Sequence, residues 1–119
     1  MKFEISEIKD RGTLDERIIF TINEDCDIGK YFVFTTVRDA DGKNITSLVR
    51  DAYWFPDKQV KKGDLVVLYS NEGKNSFKVN DDKTSSHFYY RNSKSPLLSN
   101  NNLALLVELS AWKLEKILS

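Results

Sequence analysis

The sequence predicts a single all-β domain, built as an antiparallel sandwich or barrel. Eight or nine short segments rich in aromatic and β-branched residues recur at spacings of roughly 8 to 17 residues, with turn-forming residues between them. The chain has 119 residues, which suits one domain, and its 40% hydrophobic and 12% aromatic content is enough to build one core. We therefore expect short strands with one buried and one more exposed face.

The first two segments show the expected alternation clearly. In KFEISEIK, a charged residue separates Phe3 from Ile5, which is typical of a half-exposed strand. In ERIIFTIN, Ile18, Phe20 and Ile22 share one face, because side chains two residues apart on a strand point the same way. Both segments are therefore predicted to supply core residues.

The remaining strands are predicted from similar apolar runs. KYFVFTTV (30–37) is aromatic and β-branched on both faces, and DADGKN (39–44) predicts a tight Asp-Gly turn after it. Further strands are predicted at 47–55, 64–70, 86–92 and 103–110, with 112–118 as the last one. A helix over 103–118 is the alternative, although Ser110 interrupts its apolar stripe.

Two long polar loops complete the predicted domain. The stretch 71–86 carries one short strand around Phe77 and Val79, and 93–102 forms the second loop. Loops at the end of a rigid sandwich are common places for a ligand to bind. These two loops are therefore candidate binding segments.

The stretch WFPDKQVKKGDLVVLYS (54–70) has the features of a corner between two strands. Pro56 has no N–H for a sheet ladder and keeps Phe55 extended, so the first strand should end there. Gly63 supplies a residue that tolerates positive φ in the turn before LVVLY. The stretch is therefore predicted to be a structural corner of the domain and not a functional site.

A series of motifs continues from this corner towards the C-terminus. The motifs are Phe55-Pro56, Val60 with Gly63, the strand Leu65 to Tyr69, Gly73, His87-Phe88, Asn100 to Asn102, and Ala104-Leu105-Leu106. In this order they resemble the lamin-tail domain family, over residues 1–110 and most closely over 53–107. The resemblance implies an immunoglobulin-like antiparallel β-sandwich of eight or nine short strands, spanning 1–119 as one domain. It also implies an interaction or attachment module, because the family shares no catalytic residues.

Charge and cysteine content restrict the partners and the compartment. Eighteen basic residues balance eighteen acidic ones, so the whole molecule offers no broad attraction to nucleic acid or anionic lipid. The N-terminus MKFEISEIKD has no apolar signal region, and no apolar run reaches the roughly 20 residues that span a bilayer. Cys26 is the only cysteine and fits neither an internal disulfide nor a metal motif. We expect a cytoplasmic protein without a membrane partner.

Residues with catalytic chemistry are few and isolated in the sequence. His87 is the only histidine, and its strand pattern favours a hydrogen-bonded structural residue over a Cys–His nucleophilic pair. Acidic neighbours should disfavour the Cys26 thiolate. DADGKN lacks the spacing of a calcium loop, and NDDK (80–83) favours a solvated turn over a weak cation site. We predict no enzyme, catalytic residue, cofactor or metal ligand; a small hydrolase with a loop-borne site is one alternative.

Consecutive aromatic residues give the most specific functional indication. In YFVF and HFYY, neighbouring side chains must point to opposite faces of a sheet, so some of the rings should lie outside the core. A cluster of outward rings would mark a surface for a protein partner or for self-association. The candidate interface residues are Phe32, Phe34, Trp54, Tyr89 and Tyr90.

Basic residues close to aromatic ones support a different alternative, a single-stranded nucleic-acid-binding module. Stacked bases and neutralised phosphates are the usual contacts of such modules. The candidate contacts are Lys61, Lys62, Lys78 and Arg91. Because the net charge is zero, we favour a non-catalytic protein-interaction or attachment module over nucleic-acid binding.

Overall fold

A computed structural model of the chain describes residues 1–38, 45–99 and 101–116, without the side chains of 45–47. These residues form ten strands: β1 Phe3–Lys9, β2 Arg17–Ile22, β3 Cys26–Asp27, β4 Tyr31–Arg38, β5 Ile45–Trp54, β6 Gln59–Val60, β7 Leu65–Tyr69, β8 Ser76–Val79, β9 Ser85–Tyr90 and β10 Leu103–Glu108. One 3₁₀ turn, Ile28–Lys30, lies between β3 and β4. The predicted all-β class is confirmed, and the Asp-Gly turn predicted at 39–44 lies outside the described residues.

The strands form a β-sandwich with a large and a small sheet. The large sheet has the order β1-β2-β7-β9-β8, and the small sheet has the order β10-β4-β5. The short strands β3 and β6 form a separate pair. Every pairing is antiparallel except that of β7 with β9, and the immunoglobulin-like identity of the sandwich stays a prediction.

The parallel pair β7–β9 departs from the predicted antiparallel arrangement. The hairpin β8–β9 turns at 80–84, where Asn80 N donates to Thr84 O at 2.8 Å. Its second strand, β9, lies beside β7, while β8 takes the sheet edge. All four residues of β8 are exposed, whereas β9 contributes Tyr89 to the core. The strand that carries core side chains, β9, therefore lies beside β7 and not at the sheet edge. In that position β9 runs parallel to β7.

The core between the sheets is centred on aromatic rings. Phe3 of β1 lies 4.6 Å from the Phe20 ring of β2 and 5.0 Å from the Tyr31 ring of β4, measured between centroids. Phe55, which directly follows β5, lies 5.4 Å from Phe20 and 5.6 Å from Tyr89. The Phe3–Phe20 pair is stacked and the other three pairs are edge-to-face, and both arrangements stabilise beyond the area they bury. The two sheets therefore share one interior.

The predicted strand pattern and corner agree with the structure. Ile18, Phe20 and Ile22 all belong to the core cluster. The strand before the corner ends at Trp54, and Gly63 has φ of +91° in the turn before β7. The strand predicted around Phe77 is present as β8.

The strand predicted at 112–118 is wrong over the residues that the structure describes. Residues 111–116 form neither strand nor helix, and 117–118 lie outside the described ranges. The last ladder contact is from Leu109 N to Lys30 O, at 2.7 Å. Beyond it the chain leaves the sheet edge, and Trp112 packs on Trp54 across the sheet. A side-chain contact with the sheet face thus replaces the expected backbone pairing.

Candidate interaction surface

Strand β4 turns alternate side chains to the two faces of the small sheet. Tyr31 and Val33 are buried in the core, with exposed fractions of 2% and 0%. Phe32 and Phe34 lie between and after them and are only half-buried. Since successive strand residues point to opposite faces, these two phenylalanines lie on the outer face of the small sheet.

Two tryptophans join the phenylalanines on that outer face. Phe32 is the cross-strand partner of Trp54, and their ring centroids lie 4.8 Å apart. Phe34 stacks on the other side, 5.6 Å from Phe32, with an interplanar angle of 7°. Trp112 contacts Trp54 edge-to-face at 5.1 Å. We call these four residues, Phe32, Phe34, Trp54 and Trp112, the aromatic face.

Aliphatic side chains of β10 extend the aromatic face on one side. In the ladder, Val107 of β10 lies opposite Phe32, and Leu105 lies opposite Phe34. Directly opposed residues of an antiparallel pair point to the same side, so both belong to this surface. The exposed fractions of Trp54 and Trp112 are 41% and 65%. Apolar rings and branched chains thus present a continuous surface to solvent.

A hydrogen bond fixes the Trp54 indole in place. Its Nε1 donates to the carbonyl oxygen of Gly29 at 2.7 Å. Gly29 is held in turn by Asp27, whose Oδ1 accepts from Gly29 N at 2.8 Å and from Lys58 N at 3.0 Å. A Cβ at position 29 would collide with Asp57, so this turn needs glycine. The partly exposed indole is therefore preorganised.

The geometry of the rings determines what the aromatic face can bind. Phe32 is stacked on Phe34 and on Trp54, so its faces are directed at other rings of the protein. Base stacking on nucleic-acid-binding modules requires ring faces open to the ligand. Phe32 is therefore closed to base stacking, while Trp54 and Trp112 remain partly exposed.

The other two interface candidates, Tyr89 and Tyr90, lie on the large sheet. Tyr89 is 7% exposed and belongs to the core. Tyr90 is half-buried and stacks on Tyr69 at 4.9 Å. The structure thus brings together Phe32, Phe34 and Trp54 of the predicted set, and it adds Trp112. The sequence predicted Trp112 only as part of a strand at 112–118, and that pattern did not indicate its contact with Trp54.

The four basic candidates are spread over three parts of the fold. Lys61 and Lys62 lie in the turn before β7 and are exposed, and Lys78 is exposed on β8. Arg91 follows β9 and is half-buried; burial lowers its pKa, while the charges of Asp51 and Glu16 oppose that effect. These basic groups therefore belong to separate elements, and none is in the aromatic face.

His87 is buried as a structural residue, as its strand pattern predicted. It is 5% exposed, and its Nε2 lies 3.2 Å from Asp64 Oδ2. Asp64 also accepts the backbone N–H groups of Lys61 and Ser85. Burial alone would raise the pKa of the Asp64 carboxyl, but these hydrogen bonds and His87 outweigh it and lower the pKa. The sequence did not reveal Asp64 as the partner.

The Cys26 thiol is disfavoured as a nucleophile. Burial raises its pKa most, and the charges of Asp27, Glu108 and Asp25 add to the increase against the opposing effect of Lys2. The predicted direction is therefore correct, but the main cause is burial and not the acidic neighbours. In the described ranges, no three His, Cys, Asp or Glu side chains converge as a metal site would require.

Glu16 is a buried carboxylate that could not be identified from the sequence. Its side chain is inaccessible to solvent, and it accepts hydrogen bonds from Gly12 N, Ser70 Oγ, Leu97 N and Leu98 N. Burial acts to raise the pKa of Glu16, but the hydrogen bonds together lower it below its ordinary value. Every contact is internal, so Glu16 ties the 10–16 and 93–99 segments to the end of β7.

Comparison with known proteins gives no assignment. No family model, curated protein or solved structure matches this chain. Among the described residues there is no helix with the length and hydropathy needed to cross a bilayer.

Proposed function

We propose that this chain is a non-catalytic protein-interaction module and that the aromatic face is its binding surface. The observation that carries the proposal is the row Phe34–Phe32–Trp54–Trp112, in which each ring contacts the next on the outside of the small sheet. Water solvates such a surface poorly, and a protein partner that covers it gains the free energy of apolar burial. A second copy of the chain would meet the same requirement.

The alternatives fit the described residues less well. A small hydrolase would need an accessible acid–base pair, whereas the side chains of His87 and Asp64 are 7% and 9% exposed. A single-stranded nucleic-acid binder would combine open rings with a basic groove, whereas none of the four basic candidates belongs to the aromatic face. Membership of the lamin-tail family and a cytoplasmic location stay predictions from the sequence.

The test uses two alanine variants and one matched control. Trp54→Ala and Phe34→Ala remove rings of the aromatic face, and Phe77→Ala removes an equally apolar ring, 63% exposed, from β8 of the large sheet. Immobilised wild-type chain should capture specific proteins from native lysate, or associate with itself in light scattering. Both face variants should lose this binding, whereas Phe77→Ala should keep it.

Tryptophan fluorescence provides an independent measurement on the wild-type chain. The chain contains two tryptophans, and both lie in the aromatic face. Covering the face should shift their emission to the blue and reduce quenching by acrylamide. Equal capture by Trp54→Ala and wild type, or a bound complex without any change in tryptophan quenching, would refute the proposal.

A further inference from the structure

The edge strands of the sandwich differ in how well they are protected against pairing with another chain. On β1 the register shifts between Ile5 and Glu7, and β8 has only four residues. Along β5 the register shifts twice, and Asp51 has φ of +54°. Bulges, short length and charged side chains are the usual means by which proteins prevent edge pairing.

Strand β10 has none of these protections along most of its length. It pairs with β4 over six consecutive positions, from Leu103 to Glu108, without a register shift. Its first five residues are Leu, Ala, Leu, Leu and Val, and the first charge is Glu108. One side of β10 is bonded to β4, and the other is the edge of the small sheet. The edge is therefore a regular template for an additional strand.

A groove with both apolar and basic lining lies beside this edge, between β10 and β1. Its volume is about 260 Å³, and its apolar lining includes Ile5, Ile8, Leu103 and Leu105. Ile5, Ile8 and Ala104 pack against the core cluster while remaining only partly buried. The interior of the sandwich is thus incompletely covered where the edges of the two sheets meet.

Two arginines give the groove a positive charge. Arg11 and Arg38 both line it, and among residues 1–38, 45–99 and 101–116 no acidic side chain does. The Arg11 guanidinium donates to the carbonyl oxygens of Leu98 at 3.1 Å and Asn102 at 2.8 Å, which leaves its charge uncompensated. Within the described part of the chain, neither arginine forms a salt bridge. An occupant that carries a carboxylate would therefore complement the groove.

We infer that the β10 edge and this groove are a strand-addition site for an extended acidic–apolar peptide segment. The backbone of the segment pairs with β10, and every second side chain is apolar and enters the groove. An acidic residue of the segment reaches Arg11 and Arg38. Backbone pairing supplies affinity in such complexes, and the alternate side chains supply specificity. This site meets the aromatic face at Leu105 but includes none of its four rings, and it goes beyond the proposed function.

The register of β10 predicts where the acidic residue belongs. Leu103 pairs with Thr36, two residues from Arg38, so the arginines lie near the start of β10. A segment that pairs antiparallel to β10 therefore has its acidic residue at its C-terminal end, and a parallel segment has it at its N-terminal end. Six paired residues span roughly 20 Å at the rise of a β-strand.

The test uses two synthetic peptides as probes. One is Thr-Val-Thr-Leu-Thr-Val-Asp-Asp and the other is Asp-Asp-Thr-Val-Thr-Leu-Thr-Val, both with blocked ends. One of them should bind the whole chain in fluorescence anisotropy and slow the hydrogen exchange of amides in 103–107. The same peptide with alternate backbone amides methylated should not bind, because it cannot form the ladder.

Charge reversal separates this site from other surfaces. Arg38→Glu should weaken binding about tenfold and favour a probe with Lys-Lys in place of Asp-Asp. Arg50→Glu, an exposed reversal on β5 at the opposite edge of the small sheet, should have no effect. Trp54→Ala should leave peptide binding unchanged, so failure of the aromatic-face proposal would not affect this result.

Three outcomes would overturn the inference. The first is the absence of binding by both probes at millimolar concentration. The second is binding without slowed exchange in β10. The third is binding that Trp54→Ala abolishes and Arg38→Glu does not, which would place the peptide on the aromatic face instead.

Discussion

Trp54 and Phe55 are neighbours in the chain but belong to two different aromatic clusters. Phe55 is 2% exposed and makes edge-to-face contacts with Phe3, Phe20, Tyr53 and Tyr89. Trp54 is 41% exposed and stacks on Phe32 on the opposite side of the small sheet. The alternation of strand side chains separates the two rings, although both residue types are strongly apolar.

The difference between the clusters shows which one is complete. The inner cluster is closed because strands of both sheets cover it, and its free energy of burial already contributes to folding. The outer cluster has a sheet below it, and in the described part of the chain Trp112 is the ring that packs above it, over Trp54. Its remaining apolar area can contribute only when another molecule covers it. The inner cluster should therefore control stability, and the outer cluster should control binding.

The largest expected effect is on the inner cluster. Phe55→Ala should lower the free energy of unfolding by about 3–5 kcal/mol, because it leaves a cavity among closely packed rings. Phe34→Ala on the aromatic face should cost only about 1 kcal/mol, since that ring is half-buried. Urea unfolding followed by circular dichroism measures both. Equal losses would show that the outer rings are a second core and not a surface.

An intermediate effect is expected from Glu16, which gives the interior a pH dependence that the aromatic face lacks. Glu16→Gln should cost about 2–3 kcal/mol at pH 7, because it removes a charged acceptor of several hydrogen bonds. The pKa of Glu16 is lowered in the folded chain. Its stabilisation is therefore fully present above the unfolded pKa of a glutamate and disappears as the pH falls through the lower folded pKa.

The pH test compares the variant with the exposed control Glu7→Gln. Urea unfolding of all three proteins at pH 7 and pH 3 gives the acid-dependent part of the stability. The wild-type and Glu7→Gln chains should lose stability similarly on acidification, and Glu16→Gln should lose less. Some acid dependence should remain, because the pKa of Asp64 is also lowered. An equal decrease in all three would contradict the assigned role of Glu16.

The smallest effect is expected from the exposed end of the aromatic face. Trp112→Ala should change the free energy of unfolding by less than about 0.5 kcal/mol, because the side chain is 65% exposed. The same variant keeps one tryptophan, Trp54. Its emission should be quenched less by acrylamide than the emission of the wild-type chain, because Trp54 is less exposed than Trp112. A loss of about 2 kcal/mol or more would show that the C-terminal segment is part of the folded core.

Much of the secondary structure could be predicted from local pattern. The alternation of Ile18, Phe20 and Ile22 indicated a strand with one core face, and Pro56 and Gly63 indicated the corner. These signals depend on near neighbours in the chain, because the two-residue period of a strand and the φ preferences of proline and glycine are local properties. The prediction of a strand at 112–118 also relied on local alternation, and it was wrong for 112–116 because nothing local specifies a pairing partner.

The candidate site could be predicted only in part for the same reason. Alternation established that YFVF and HFYY place rings on both faces of a strand, and it correctly grouped Phe32 with Phe34. It could not establish which face of each strand meets the other sheet. Tyr89 therefore lies in the core although it was a candidate for the surface, and Trp112 joined the aromatic face without having been named.

The sequence by itself determined the class of fold and the short, alternating strands, because the spacing of apolar residues and turn residues is written along the chain. Only the tertiary structure decided that β9 lies parallel to β7, that Glu16 is enclosed, and that β10 is left as an unprotected edge. These features join residues far apart in the chain. They depend on which arrangement of strands buries the most apolar area while pairing the buried polar groups, a property of the whole packed domain.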